Sequence, residues 1–149
     1  MQFAPPILKQ IDEFKVIGLS TRTRNADEFN TATAKLPSLW QRFATIGLAS
    51  DAKLFGVYSD YESDAHGFYT VTAGVAFAQP QAELSSSVGI HKGPYLVFQG
   101  AGPMPSTLIA MWKYIWDYFK TQNEYQRNFI SDFEAYNGSN EMAIYIGVK

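Results

Sequence analysis

The chain has 149 residues, of which 46% are hydrophobic and 15% aromatic, and it contains no cysteine. This composition fits one domain with an ordinary hydrophobic core, and it excludes disulfides and thiolate metal sites. A formal charge of -2 gives no basic footprint for nucleic acid, and no apolar run is long enough to span a membrane. The first ten residues lack the features of a signal peptide, so we expect a cytoplasmic protein.

The first half of the chain predicts a strand, a helix and a two-stranded hairpin. Residues 14–24 alternate bulky and small side chains, as strands do. Asn25 followed by Glu28 forms a capping-box pattern that should start a helix near Ala26. Pro37 interrupts the apolar stripe of that helix and predicts a kink or a break. Two hairpin strands follow over residues 53–60 and 68–78, joined by a polar loop.

The second half predicts the same order of elements after a polar connector over residues 80–87. A strand is expected over 88–99 and a helix over 106–120, with an apolar stripe along one helix face. Two further strands, over 129–136 and 142–149, flank the turn signal Asn137-Gly138. The sequence therefore predicts an α+β fold in which a β-α-β-β order occurs twice.

An internal echo at a shift of 76 residues supports this duplication. The matched pairs are Trp40 and Trp116, Phe43 and Phe119, Tyr58 and Glu134, Asp60 and Tyr136, and Tyr69 and Tyr145. We expect a single domain over 1–149, with one repeat over about 12–79 and the other over about 88–149. The two repeats would be related by pseudo-twofold symmetry, and their antiparallel sheets would form a central ligand cleft.

Alternation along the last two strands assigns their side chains to opposite faces of the sheet. The face that packs under the helix would carry Phe133, Ala135, Ile144, Ile146 and Val148. The other face would carry Glu134, Tyr136 and Tyr145 close together. By the shift of 76, the corresponding face of the first half would carry Tyr58, Asp60, Tyr69 and Val71. If the faces converge, tyrosines line a cleft around Glu134, and Trp112 belongs either to this cleft or to the core.

A carboxylate among aromatic rings suits a hydrophobic cation, because the rings supply apolar area and cation–π attraction and the acid supplies counter-charge. The alternative is that Glu134 is an exposed residue on an open sheet face. Burial would raise the pKa of Glu134 and would also qualify it as a general acid or base. We expect no cofactor and no metal, because His66 and His91 lack partners at metal-ligand spacing.

The order of motifs resembles that of the GyrI-like family. The segments that carry the resemblance are FKVIGLSTRTR, LWQRF, GVYSDY, FYTVTAGV, WKYIWDYF, DFEAYN and IYIGVK. This bacterial effector-binding domain also occurs at the C-terminus of AraC-type and MerR-type multidrug-responsive regulators. The resemblance implies two β-α-β-β units of the SHS2 type that form a channel for hydrophobic, often cationic, small molecules. It assigns the key glutamate to Glu134, its strand neighbour to Tyr136 and the last-strand aromatic to Tyr145.

Three functions follow from the resemblance and the residues. The first is a stand-alone binding or sensing protein, because no helix-turn-helix precedes the predicted domain and direct DNA contact is not expected. The second is a hydrolase of cyclopropane-containing genotoxic compounds, with Glu134 acting on water and Tyr145 assisting the leaving group. The third is an inhibitor of a partner protein that acts through a surface patch. Neither the ligand nor the oligomeric state follows from the sequence.

Overall fold

The computed structural model describes residues 3–46, 53–64, 66–76, 85–122, 124–138 and 140–149. Its strands form one antiparallel sheet in the spatial order β1-β6-β8-β7-β3-β4-β2-β5. They are β1 (Ile7–Ile11), β2 (Phe14–Thr23), β3 (Leu54–Ser59), β4 (Tyr69–Ala76), β5 (Ser86–Ile90), β6 (Gly93–Ala101), β7 (Arg127–Asn137) and β8 (Glu141–Val148). The helices are α1 (Asn25–Glu28), α2 (Leu36–Ala44) and α3 (Ser106–Thr121). The fold is thus mostly antiparallel sheet with few helices, as the predicted α+β class requires.

Five of the predicted strands and the second helix are confirmed to within a few residues. The strand predicted over 88–99 is instead the hairpin of β5 and β6, in which Gly93 at the turn has a φ of 154°. β1 was not predicted, because four of its five residues are exposed and it pairs only with β6 at the sheet edge. The predicted connector lies outside the described residues over 80–84, and its last two residues belong to β5.

The helix predicted from Asn25 is two separate helices. Pro37 lies in the first turn of α2, where a missing amide hydrogen costs nothing, so the proline starts a helix and does not kink one. The start of α1 differs from the capping-box prediction: the N-cap residue is Arg24, and the Asn25 side chain accepts a hydrogen bond from the Tyr69 hydroxyl at 2.6 Å. Glu28 accepts hydrogen bonds from the backbone amides of Lys35 at 3.0 Å and Leu36 at 3.2 Å, and so caps the start of α2.

Both faces of the sheet are buried. On the helix face, α3 packs on β6 and β8 and α2 packs on β2 and β4. The opposite face carries its own apolar cluster, which includes Phe55 and Phe133. Phe14 of β2 reaches Phe133, three strands away, with ring centroids 5.5 Å apart, so the sheet curves toward this face. In the described part of the chain, no helix is long and apolar enough to cross a membrane.

The face assignment of β7 made from the sequence is wrong. Directly paired residues share a face, and Glu134 pairs with Ile144 whereas Phe133 pairs with Tyr145. Glu134 and Tyr136 therefore lie on the helix face. Phe133, Ala135 and Tyr145 lie on the opposite face.

We expect Glu28→Ala to lower the free energy of unfolding by about 1–2 kcal/mol, because two amides at the start of α2 lose their acceptor. The hydroxyl of Thr23, which donates to Glu28 at 2.5 Å, loses the same partner. Urea unfolding followed by circular dichroism measures the change. The matched control is Glu13→Ala at an exposed position, where a change within about 0.5 kcal/mol is expected. Equal effects of the two substitutions would contradict the capping role.

Candidate functional site

A buried carboxylate lies at the centre of the sheet, where β7 meets β3. Glu134 is only 1% exposed and accepts three side-chain hydrogen bonds. The Tyr58 hydroxyl and the Trp112 indole donate to Oε2 at 2.7 and 2.9 Å, and the Tyr136 hydroxyl donates to Oε1 at 2.6 Å. The donors come from β3, α3 and β7, so the carboxylate joins both halves of the chain.

Aromatic rings surround this carboxylate on the helix face. Tyr58 contacts Trp112 with ring centroids 5.2 Å apart and Tyr69 at 5.5 Å. On the α2 side, Trp40 contacts Tyr136 at 5.6 Å. We call these five residues the aromatic cage; they are Trp40, Tyr58, Tyr69, Trp112 and Tyr136. The cage lies between α2 and α3 and covers Glu134.

Burial and hydrogen bonding act on Glu134 in opposite directions. Burial raises the pKa of the Glu134 carboxyl, and the three hydrogen bonds from Tyr136, Trp112 and Tyr58 offset part of that rise. The pKa values of the Tyr58 and Tyr136 hydroxyls are raised well above their usual value, by burial and by the neighbouring carboxylate. Both tyrosines are therefore protonated donors at neutral pH. Among the described residues, Glu134 forms no ion pair.

A second buried carboxylate on the same strand is in a different state. Asp132 is fully buried and forms an ion pair with Arg127, with 2.7 Å between Nη2 and Oδ2. The Tyr61 hydroxyl donates to Oδ2 at 2.5 Å and the Gly147 amide donates to Oδ1 at 2.8 Å. Asp132 thus has a cation supplied by the chain, whereas the donors described for Glu134 are all neutral.

The structure brings six of the eight predicted site residues to the helix face near Glu134. They are Glu134, Tyr136, Tyr58, Tyr69, Val71 and Trp112. Val71 belongs to the apolar cluster under α2, and its side chain has no hydrogen-bond donor for the carboxylate.

Two predicted site residues lie elsewhere, which corrects the prediction. Tyr145 stacks on Phe133 on the opposite face, with ring centroids 4.3 Å apart and planes 8° from parallel. Asp60 follows the end of β3, is exposed and has a φ of 50°, so the alternation of β3 no longer governs its side chain. The shift of 76 equates Asp60 with Tyr136. Tyr136 lies within β7, whereas Asp60 lies beyond the end of β3.

Two residues of the site escaped the sequence analysis. Trp40 lies on the apolar stripe of the first predicted helix, and such a stripe indicates a core residue and not a site residue. Gly56 pairs with Glu134 across the β3–β7 ladder and leaves room for the carboxylate. A Cβ at position 56 would lie 2.8 Å from Glu134 Oε1 and 3.1 Å from Trp40 Cζ2.

The described structure also has open space at one end of the sheet. A hollow of about 1220 Å³ occupies the end of the sheet near the β7–β8 hairpin, and Lys53, Gln99 and Tyr145 are among its lining residues. Tyr136 is the one cage residue that also lines this hollow. Within the described ranges, no group of three or more histidine or acidic side chains is arranged to hold a metal ion.

We expect Gly56→Ala to displace Glu134 and Trp40 and to lower the free energy of unfolding by about 1–3 kcal/mol, because the added methyl group overpacks the site. Urea unfolding measures the stability, and tryptophan fluorescence reports the displaced ring. Gly89→Ala is the control, because a Cβ at that position meets nothing within 4 Å. A Gly56→Ala protein with the stability and emission of the unsubstituted protein would contradict this packing.

Comparison with known proteins assigns this chain to a family. An integron cassette protein from the mobile metagenome of Vibrio cholerae has a solved structure with a TM-score of 0.90 and 36% identity, covering 99% of this chain and 97% of that one. YobU of Bacillus subtilis (strain 168), named as a candidate transcriptional regulator, is 29% identical over 95% of this chain and 96% of its own.

A more distant solved structure shares the fold alone. SAV2435, bound to tetraphenylphosphonium, has a TM-score of 0.74 and 19% identity, with 100% of this chain and 94% of that chain covered. The family model described as Cass2, integron-associated effector binding protein, matches residues 7–148. The chain therefore belongs to the Cass2 family of integron-associated effector-binding proteins, which is related to the GyrI-like effector-binding domains of transcription regulators.

Proposed function

We propose that this protein binds hydrophobic, cationic small molecules in the aromatic cage, with Glu134 as their counter-charge. One observation carries the proposal: Glu134 is 1% exposed, and its described partners are all neutral. An ionised carboxylate is costly to bury without a cation, so a positively charged ligand would remove an unfavourable term that already exists in the free protein.

The rings of the cage supply the remaining attraction. Cation–π contacts contribute about 0.5–2 kcal/mol each, and the larger values apply where water is excluded. Because the cage covers the carboxylate, a ligand must displace at least one ring to reach it. The ring of Trp112 and the ring of Tyr58, which contact each other above Glu134, are the parts that would separate.

The family and its relatives support a role in sensing. The matching family is described as effector-binding, and the relative YobU is named as a regulator. In this proposal the chain holds or senses lipophilic cations in the cell and passes the signal on without DNA contacts of its own. Tetraphenylphosphonium, the molecule bound to SAV2435, is a suitable first probe because its charge is independent of pH.

The strand order supports a duplicated architecture around this site. Outward from the central β7–β3 pair, the sheet continues through β8, β6 and β1 on one side and through β4, β2 and β5 on the other. The hydrogen bond from Tyr58 to Glu134 joins residues 76 positions apart, the same shift that relates the two halves of the sequence. In this proposal, residues 1–149 form one domain of two β-α-β-β repeats, and the ligand binds where the repeats meet.

The hydrolase alternative loses one of its two residues. Tyr145 was its second group, and it lies on the face of the sheet opposite Glu134. The raised pKa of Glu134 alone is compatible with general acid–base chemistry but equally with a counter-ion. Mass spectrometry of each ligand after incubation separates the two functions, because a binding protein returns the ligand unaltered.

We expect Glu134→Gln to weaken tetraphenylphosphonium binding by about tenfold or more, because the counter-charge is lost. The neutral analogue triphenylphosphine oxide should lose much less affinity. Titration followed by tryptophan fluorescence measures both dissociation constants. Tyr145→Phe is the control, because it removes one hydroxyl on the opposite face and should leave both affinities unchanged. Equal losses for the cation and the neutral ligand would contradict the counter-ion role.

We expect cation affinity to rise with pH. In the free protein, burial holds the pKa of Glu134 above its ordinary value of about 4.5, and a bound cation favours the carboxylate and lowers that pKa. Binding therefore releases a proton in the window that extends upward from the ordinary value. Affinity should increase across this window and then level off. Calorimetry in buffers of different ionisation enthalpy measures the released proton, and a pH-independent affinity would sink the idea.

Glu134→Gln is the control for the pH dependence. Its amide does not titrate, so its weaker cation binding should be flat across the same window. A pH dependence that survives in this variant would assign the proton to another group.

A further inference from the structure

We propose that Arg127 determines the charge selectivity of the cage. By neutralising Asp132 it leaves Glu134 as the one carboxylate of β7 without a described ion pair, so that the site accepts monocations and discriminates against dications. This inference rests on the proposed function and adds a specificity residue to it.

Asp132 lies in surroundings similar to those of Glu134, except that a cation of the chain itself, Arg127, is paired with it. Both sites have a buried carboxylate, a tyrosine hydroxyl donor and aromatic rings. At Asp132 the positive charge is that of Arg127, whose Cζ lies 4.5 Å from the centroid of the Phe129 ring and 6.0 Å from that of Tyr61. Arg127 thus occupies the position beside Asp132 that a ligand cation would take beside Glu134.

The two carboxylates are close enough to act on one ligand. Asp132 and Glu134 are two residues apart on β7 and share the helix face, which puts their Cα atoms about 6–7 Å apart. Tyr58 pairs with Asp132 across the ladder, while its hydroxyl donates to Glu134. Without Arg127, two negative charges would therefore lie on either side of the same tyrosine.

A local irregularity of β7 brings Arg127 to this position. Arg127 pairs with Val148 and Asp132 pairs with Ile146, so five residue steps on β7 face two on β8. Phe129, inside this bulge, has a φ of 53°, which residues with a Cβ seldom adopt. Bulges re-aim side chains, and this one turns the Arg127 side chain back onto Asp132. Buried ion pairs add little net stability, so a role in specificity accounts better for this arrangement.

The test compares two ligands with the same two-ring frame. N-methyl-4-phenylpyridinium carries one positive charge, and N,N′-dimethyl-4,4′-bipyridinium carries two. We expect the unsubstituted protein to bind the monocation about tenfold or more tightly than the dication. In Arg127→Met the ratio should shift toward the dication by about tenfold or more, because Asp132 then offers a second counter-charge.

Two further variants keep the test independent of the folding of Arg127→Met. The double variant Arg127→Met/Asp132→Asn removes both charges and should restore the preference for the monocation. Asp132→Asn alone leaves the Arg127 cation unpaired, so both ligands should bind more weakly, and the dication should lose more affinity than the monocation. Equal losses for the two ligands would overturn the inference.

The outcomes separate this inference from the proposed function. An unchanged preference in Arg127→Met, together with monocation binding that still depends on Glu134, overturns the role of Arg127 and leaves the cage intact. Monocation binding that is absent, or that is insensitive to Glu134→Gln, overturns both. A shift toward the dication in Arg127→Met that is reversed in the double variant supports the inference.

Discussion

The rest of the structure depends on keeping one carboxylate hydrogen-bonded where β7 meets β3. A buried acid needs donors, and those of Glu134 come from three elements, with Tyr58 76 positions away and Trp112 22 positions away along the chain. The strand order brings β3 beside β7, the packing of α3 on β6 and β8 brings the indole above them, and Gly56 leaves space for the acid. The packing of β3, β7 and α3 is thereby coupled to the state of one side chain, because loss of the Tyr136 donor would leave Oε1 without a described partner, and loss of Tyr58 or Trp112 would leave Oε2 with one donor in place of two.

The two acids of β7 show how one strand can carry opposite solutions to the same physical problem. Buried charges are paired, hydrogen-bonded or shifted toward neutrality. Asp132 is paired with Arg127, and the register shift in β7 between these two residues places the arginine beside the carboxylate. Glu134 is hydrogen-bonded by three neutral donors, and burial raises the pKa of its carboxyl toward the neutral form. Asp132 already has a cationic partner within the chain. Glu134 has none among the described residues.

Much of this was predictable from the sequence, and the failures have physical causes. The amphipathic stripe of α3 and the turn signal before β8 predicted their elements because a single buried face governs each pattern. β1 was invisible because an exposed edge strand has no alternation to detect. The face of Glu134 was misassigned because Phe133 and Ala135 beside it are as buried as Ile144 and Ile146, on the other side of the same sheet. Where both faces are apolar, only the pairing register decides, and no local pattern encodes it.

The hydrogen bonds to Glu134 argue for a binding role over a purely structural one. Three donors directed at two oxygens fit the carboxylate form, because a protonated acid would itself need an acceptor. Burial among rings favours the neutral form, and the raised pKa shows that burial outweighs the donors. For stability alone, this arrangement is unfavourable. An apolar side chain at position 134, with phenylalanine in place of the tyrosines, would fill the same volume without burying a carboxylate. Under the proposed function, a cation that enters the cage would favour the carboxylate form and would offset the cost of burying it, which would contribute to the free energy of binding.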